Sequence, residues 1–194
     1  MLPQLTAATE KKGTVPFSGT TAPIIVTALL GTADFAWAEA LRRAHFPPER
    51  NVLRAHLTLF HHLPPSVLRE LRDALRDQCR APAPPARVAG LMSLGQGVAF
   101  RVESHALGNV RDRLADRFKM LLLPQDRAGW RPHITVQNKV APAVARALLA
   151  TLESDFLPRP LEIAGLAAWW YRGGPWEPIG AWRFGSGHAV VPPS

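Results

Sequence analysis

Two short segments of the chain alternate between apolar and polar residues in the same way. In RAHLTLF, leucines alternate with His56 and Thr58, and in RPHITVQ, isoleucine and valine alternate with His133 and Thr135. Successive side chains of a strand point to opposite faces of its sheet. Each segment therefore predicts a strand with an apolar core face and a second face on which a histidine lies beside a threonine.

The other segments alternate between strand and helix patterns. A β-branched apolar run at 23–30 predicts a buried strand, and Gly31-Thr32 predicts a turn in which Thr32 caps the next helix. Glycine-containing turns predict two hairpins, one turning near 95–97 and one within 161–185. Helical spacing of apolar residues predicts four helices, within 33–46, 64–79, 107–123 and 141–154. The predicted order is strand, helix, strand, helix, hairpin, helix, strand, helix, hairpin.

This order contains an internal repeat. His133 lies 77 residues after His56, and like or identical residues meet at the same offset in the flanking segments. The matches include Pro47 with Pro124, Arg50 with Arg127, Arg54 with Arg131, Val67 with Val144 and Leu71 with Leu148. A chance match of two short motifs would not extend into their flanks. We therefore predict two similar α+β units, about 32–80 and 109–157.

The repeat predicts how the domain is organised. Polar, aperiodic residues 1–21 predict a flexible N-terminal tail, residues 22–186 a single domain, and residues 187–194 a C-terminal tail. If the two units pack about a pseudo-twofold axis, the two motif strands face each other across a groove. Two imidazoles and two threonine hydroxyls then converge there.

Composition and charge narrow the class of protein. The chain has 194 residues, 47% of them hydrophobic, and a formal net charge of +8, which favours phosphate-bearing partners such as RNA. A basic protein with no such partner is an equally good interpretation of charge alone. The single cysteine, Cys79, cannot form an intramolecular disulfide. No apolar run reaches the length of a membrane span.

A segment near the start of the chain resembles a signal peptide. The apolar run at 22–31 is followed by Ala-Trp-Ala at 36–38, which resembles a cleavage site. The run contains Pro23 and Thr27, however, and cleavage there would divide a predicted helix. We therefore expect a cytoplasmic protein with no membrane attachment.

The paired histidines predict acid–base chemistry. An unperturbed histidine titrates near pH ~6.5, so one imidazole can act as a neutral base while the other acts as a charged acid. Threonine hydroxyls, here Thr58 and Thr135, can donate hydrogen bonds to phosphate oxygens. Alternation places Arg54 and Arg131 on the same strand faces as the histidines. Two solvated strand ends explain these arginines equally well.

Two further segments are candidate binding sites. WWYRGGPW, residues 169–176, carries Tyr171 and Arg172, which predict stacking of a nucleobase at the rim of the cleft. A core strand that ends in a turn explains the segment equally well. His61 and His62 follow the first motif, but no cysteine or acidic residue stands at ligand spacing, so we expect no metal site.

The paired motifs, HLTL at 56–59 and HITV at 133–136, resemble the signature of the 2H phosphoesterase superfamily, in particular its 2′-5′ RNA ligase-like branch. The resemblance covers 23–185. It implies an α+β, bilobal fold, with two pseudo-twofold-related lobes of antiparallel sheet, helices outside and a central cleft. It also implies chemistry without metal or cofactor on 2′,3′-cyclic phosphate or 2′-5′ phosphodiester linkages. The partners it implies are RNA ends or cyclic nucleotides, and we expect a monomer.

By motif position, the resemblance makes His56 and His133 catalytic and assigns phosphate binding to Thr58 and Thr135. It assigns the base to His133 and the acid to His56. Two alternatives stay open at this point. One is a module that binds RNA ends or nucleotides without turnover, and the other is a cyclic phosphodiesterase of small metabolites.

Overall fold

A computed structural model describes residues 22–191. The predicted tail at 1–21 and the last three residues lie outside the described residues. The strands are β1 (Ile24–Leu30), β2 (Leu57–Leu63), β3 (Ala86–Ser93), β4 (Val98–Glu103), β5 (His133–Gln137), β6 (Arg159–Leu161), β7 (Ile163–Trp170), β8 (Glu177–Arg183) and β9 (Ala189–Val190). The helices are α1 (Thr32–His45), α2 (Leu68–Gln78), α3 (His105–Arg117), α4 (Pro124–Arg127) and α5 (Pro142–Ser154).

All of these strands join one antiparallel sheet, in the order β6-β3-β4-β5-β2-β1-β7-β8-β9. The two motif strands, β2 and β5, are neighbours at its centre. They are hydrogen-bonded neighbours rather than strands facing each other across a groove, which corrects that expectation. The α+β class and the antiparallel sheet are confirmed.

The repeat is visible as two strand–helix–strand–helix units on either side of the β2–β5 junction. One unit is β1-α1-β2-α2, and the other is β4-α3-β5-α5 with the short α4 inserted before β5. These units begin at Ile24 and Val98, earlier than the predicted starts at 32 and 109. The offset of 77 does not extend to the first helices, which end at His45 and Arg117, 72 residues apart.

The helices cover the apolar face of the sheet. Leu57 and Leu59 in β2 and Ile134 and Val136 in β5 are at most 1% exposed, as alternation predicts. Burial of each such side chain stabilises the fold by about 1.5–3 kcal/mol. The ring of Trp37 in α1 also packs on this face, with its centroid 4.8 Å from that of Phe100 in β4.

Three local details differ from the sequence prediction. The N-cap of α1 is Gly31, and no side chain caps it, so the expected Thr32 cap is wrong. Residues 124–127 form the short helix α4, which apolar spacing did not predict. Ala189 and Val190, within the expected C-terminal tail, form β9 and pair with β8.

Candidate active site

The motif side chains meet where the two units of the sheet join. β2 and β5 pair at one position, with Leu57 opposite Ile134. Both residues are fully buried, so their neighbours along each strand point to the other face. Continuing the register by one residue in each direction places each histidine beside the threonine of the other strand, as His56–Thr135 and Thr58–His133. We call the face that carries these four half-buried residues the histidine face.

Each imidazole is held by the backbone carbonyl two residues before it. Nδ1 of His56 lies 2.7 Å from the Arg54 carbonyl oxygen, and Nδ1 of His133 lies 2.8 Å from that of Arg131. A carbonyl oxygen only accepts, so Nδ1 carries the proton in both rings. In a neutral ring Nε2 is then the acceptor, which is the form that a general base needs.

The backbone carbonyls of the two motif threonines accept hydrogen bonds from side chains outside the motifs. The guanidinium of Arg42, 3% exposed, donates to the Thr135 carbonyl at 2.8 Å, and Trp130 Nε1 donates to the Thr58 carbonyl at 2.9 Å. Arg42 also donates to Asn51 Oδ1 at 2.8 Å, in the loop that leads to β2. Burial lowers the pKa of Arg42, and the charge of Glu39 partly offsets this. These contacts fix the strands on which the histidines and threonines stand.

His56 lies in an apolar environment. Its ring centroid is 4.6 Å from that of Trp176, at an interplanar angle of 52°. Burial lowers the pKa of His56 from 6.5 to about 4, and the positive charges of Arg42 and His133 act in the same direction, while the bond to Arg54 opposes them. His56 is therefore neutral at pH 7 in the free protein. This is the form of a base, whereas the resemblance assigned His56 the acid.

A cavity of about 460 Å³ opens beside His56. Trp169 and Trp176 both line it, with ring centroids 6.3 Å apart. Sequence reasoning singled out the segment that carries these tryptophans but chose Tyr171 and Arg172 as the contact residues. Trp169 lies on the histidine face. It stands opposite Ile25, two residues from Thr27, and Thr27 stands opposite the motif residue Thr58. Period-two alternation along the strand could have indicated this face. No sequence signal places Trp176, which follows a Gly-Gly-Pro loop.

The two predicted binding arginines lie in different environments. Arg54 lines the cavity, where its Nε lies 3.6 Å from Glu39 Oε1 and its guanidinium lies over the Phe35 ring at 4.8 Å. Arg131 is exposed, and its carbonyl holds His133. Contact of either side chain with a substrate stays a prediction.

Tyr171 and Arg172 lie just beyond the end of β7. Tyr171 is 45% exposed and is not part of the cavity wall, and its amide donates to the Pro23 carbonyl. Arg172 Nε donates to Glu177 Oε2 at 2.8 Å. The chain turns away from the sheet here, so adjacency in sequence to Trp169 does not bring these two side chains into the cavity. Their predicted contact with a base stays untested.

His61 is bound by an acidic residue far away in sequence. Both oxygens of the Asp126 carboxylate accept the His61 amide at 3.0 Å, Oδ2 also accepts the His62 amide, and Oδ1 lies 3.0 Å from His61 Nδ1. Asp126 is 2% exposed. Within residues 22–191, no three His, Cys, Asp or Glu side chains cluster as metal ligands would.

Comparison with models of protein families shows the family to which the chain belongs. The model of the 2′-5′ RNA ligase superfamily matches residues 31–175, about three quarters of the sequence. The chain belongs to this superfamily. The predicted membership of the 2H phosphoesterase superfamily is thereby confirmed. The matched residues include both motif strands and end just before Trp176.

Solved structures share the superfamily fold. The protein TT0787 of Thermus thermophilus aligns with a TM-score of 0.60 at 17% identity, covering 86% of this chain and 100% of that one. E. coli LigT complexed with 3′-AMP gives 0.52 at 15%, covering 84% and 98%. A protein named only as a phosphoesterase gives 0.54 at 14%, also covering 84% and 98%. At these identities the likeness shows the fold alone.

Together, the superfamily membership and these neighbours support a phosphoesterase-type enzyme. A search of curated proteins finds no match to the chain. None of the helices in the described part of the chain has the length and apolar character needed to cross a membrane.

Proposed function

We propose that this protein is a metal-independent phosphoesterase that acts on 2′,3′-cyclic phosphate or 2′-5′ phosphodiester linkages of RNA or nucleotides. The observation that carries the proposal is the junction at Leu57 and Ile134, around which two histidines and two threonines share one face. The superfamily name supports the linkage, and the complex of E. coli LigT with 3′-AMP supports a nucleotide substrate.

The geometry suggests how a cyclic phosphate is hydrolysed. Neutral His56 accepts a proton from water at Nε2, and the water oxygen forms a bond to phosphorus. The bond from phosphorus to one ribose oxygen breaks, and protonated His133 gives that oxygen a proton. The hydroxyls of Thr58 and Thr135 donate to the non-bridging oxygens as their charge increases. In the reverse reaction, the ribose hydroxyl attacks phosphorus and water leaves, and the two histidines exchange the roles of base and acid.

An assay with a chelator tests the proposal. The protein is incubated in EDTA with 2′,3′-cyclic nucleotides and with RNA carrying 2′,3′-cyclic or 2′-5′ linkages, and the position of the product phosphate is identified. We expect turnover that survives EDTA. Loss of activity in EDTA that one divalent ion restores would show that the reaction needs a metal.

Substitutions test the division of roles. We expect His56→Ala and His133→Ala each to lower kcat by about 10²–10⁴-fold, and the double variant to lose far less than the product of the two. Thr58→Ala and Thr135→Ala each remove a hydrogen bond to a charged acceptor, about 1.5–3 kcal/mol. His105→Ala, on exposed α3, is the matched control and should keep the full rate. A binding module would instead show no turnover in the wild type, and all four variants would weaken its binding of nucleotide.

A further inference from the structure

The histidine face is chemically asymmetric despite the pseudo-twofold repeat. On the β4 side, Arg101 stands opposite His133 and forms an ion pair with Glu103, which also pairs with Arg87 at 2.6 Å. On the other side, His56 opens into the cavity of about 460 Å³. Ion-paired side chains thus flank His133, whereas two tryptophan rings, together with Arg54, flank His56. A substrate with one ionic and one aromatic part would bind in a single orientation.

The aromatic walls of the cavity are positioned by the sheet. Trp169 Nε1 donates to Thr27 Oγ1 at 2.9 Å, and Thr27 is 1% exposed on the strand next to β2. This bond fixes the Trp169 ring. Trp176 stands 6.3 Å from it at 45° and reaches back over His56. The cavity volume lies within the range of about 300–1,000 Å³ that is usual for small-molecule sites.

The wall of the cavity has few groups that could read the edge of a ring. Among the described residues, the side chains that line the cavity are apolar or aromatic except for His56 and Arg54, and none is a Ser, Thr, Asn, Gln, Asp or Glu. The Arg54 guanidinium is engaged by Glu39 at 3.6 Å and by the Phe35 ring. Discrimination between adenine and guanine requires donors and acceptors at the base edge. Stacking requires only a flat ring.

We propose that this cavity binds the nucleobase of the substrate by stacking against Trp176 and Trp169, and that it distinguishes bases by ring area rather than by their hydrogen-bonding edges. The inference rests on the proposed phosphoesterase function and adds to it a substrate class. Purine nucleotides are preferred over pyrimidine nucleotides, adenine and guanine are equivalent, and a cyclic phosphate without a base is a poor substrate.

The test compares kcat/KM for the four 2′,3′-cyclic nucleotides and for glycerol 1,2-cyclic phosphate, which has the same reacting ring and no base. We expect the two purine nucleotides to agree within about threefold and to exceed the glycerol compound by on the order of tenfold or more. A difference between adenine and guanine of tenfold or more, or equal rates with and without a base, would overturn the proposal.

Variants separate stacking from an effect on His56. Trp176→Ala should lower the ratio of nucleotide to glycerol kcat/KM by on the order of tenfold, mostly through KM, and Trp176→Phe should restore most of it. Met120→Ala removes an exposed apolar side chain that does not line the cavity, so the ratio should not change. An unchanged ratio in a folded Trp176→Ala protein, checked by circular dichroism, would show that Trp176 acts only on His56.

A binding measurement keeps this inference separate from the proposed function. If none of the five compounds and none of the RNA substrates is turned over, the phosphoesterase proposal fails, and quenching of tryptophan fluorescence still tests the cavity. Adenosine 3′-monophosphate should quench, ribose 5-phosphate should not, and the Trp176→Ala variant should lose the difference. Equal responses to both compounds in the wild-type protein would overturn the cavity assignment.

Discussion

At the scale of the residue, the two catalytic candidates share one contact and differ in another. Both histidines hold a backbone carbonyl through Nδ1, but His56 also packs against Trp176. Its pKa, lowered to about 4 chiefly by burial, keeps the ring neutral over most of the pH range in which the protein would be assayed. The environment of His56 thus differs from that of His133 although the two motifs are related by the repeat.

We expect the kcat/KM profile on 2′,3′-cyclic AMP to reflect this pKa. A base must be neutral, so activity should persist down to about pH 4 and fall below it as His56 becomes protonated. Trp176→Ala admits water to His56, which raises the pKa towards its ordinary value of 6.5 and moves the acidic limb upward. Activity that instead declines from pH 4 upward would assign the acid to His56, as the resemblance implies.

At the scale of the element, a four-residue helix supports a motif strand. Asp126 in α4 accepts the amides of His61 and His62 in β2, and the Arg111 guanidinium donates to its carbonyl at 2.5 Å. Burial favours the neutral acid, but the hydrogen bonds from His61 and His62 outweigh it, so the pKa of Asp126 lies below its ordinary value of 3.8. The carboxylate therefore stabilises the C-terminal part of the central strand β2.

We expect Asp126→Ala to reduce the free energy of unfolding at pH 7 by at least about 2 kcal/mol, since it leaves two partly buried backbone amides of β2 without their acceptor. Asp116→Ala, at an exposed position of α3, is the control and should change it by no more than about 0.5 kcal/mol. Urea unfolding of both variants measures the difference.

The pH dependence of that difference has a definite sign. A carboxyl with a lowered folded-state pKa stabilises the fold fully above its unfolded value, near 3.8, and loses this contribution as pH falls through the folded value. The wild type and Asp126→Ala should therefore differ in stability at pH 5–7 and converge below about pH 3.8. A constant difference across this range would mean that the carboxylate charge is not what stabilises the strand.

Elements with enough residues to show a period were predictable. Alternation placed the histidines and threonines on the face of the sheet away from Leu57 and Ile134, and helical spacing predicted α1, α2, α3 and α5. The strands β6 and β9 have three and two residues, too few for a period, and they form because a neighbouring strand offers an open edge. Gly31 caps α1 although Thr32 is the better capping residue type, because the backbone after β1 already enters the helix at Thr32.

The cavity could not be predicted from the sequence because segments far apart along the chain form it. Phe35 comes from α1, Arg54 from the loop before β2, and Trp176 from the loop before β8. Arg54 was placed on the correct face by alternation, but its ion pair with Glu39 depends on how α1 packs against that loop. Contacts of this kind follow from the topology of the sheet and not from spacing along the chain.

At the scale of the whole molecule, the repeat provides a symmetric centre and the flanking strands break its symmetry. β2 and β5 meet in the middle of the sheet, while β7 and the loop before β8 add Trp169 and Trp176 on one side only. The proposed site for one nucleotide therefore lies beside the centre of the sheet. The net charge of +8 belongs to the whole chain and acts over a longer range.

Charge at this scale separates an RNA enzyme from an enzyme of small metabolites. Each RNA phosphate that a protein neutralises releases counterions, so affinity for single strands falls with salt at a log–log slope of about −0.7 per contacted phosphate. We expect kcat/KM for an oligoribonucleotide with a 2′,3′-cyclic end to fall roughly twentyfold between about 50 and 200 mM salt, which corresponds to about three contacts. Cyclic AMP of the 2′,3′ type, measured in parallel, contacts the protein through one phosphate and should fall only a few-fold. Equal slopes for the two substrates would mean that the basic surface does not take part in binding, and would favour a small-metabolite phosphodiesterase.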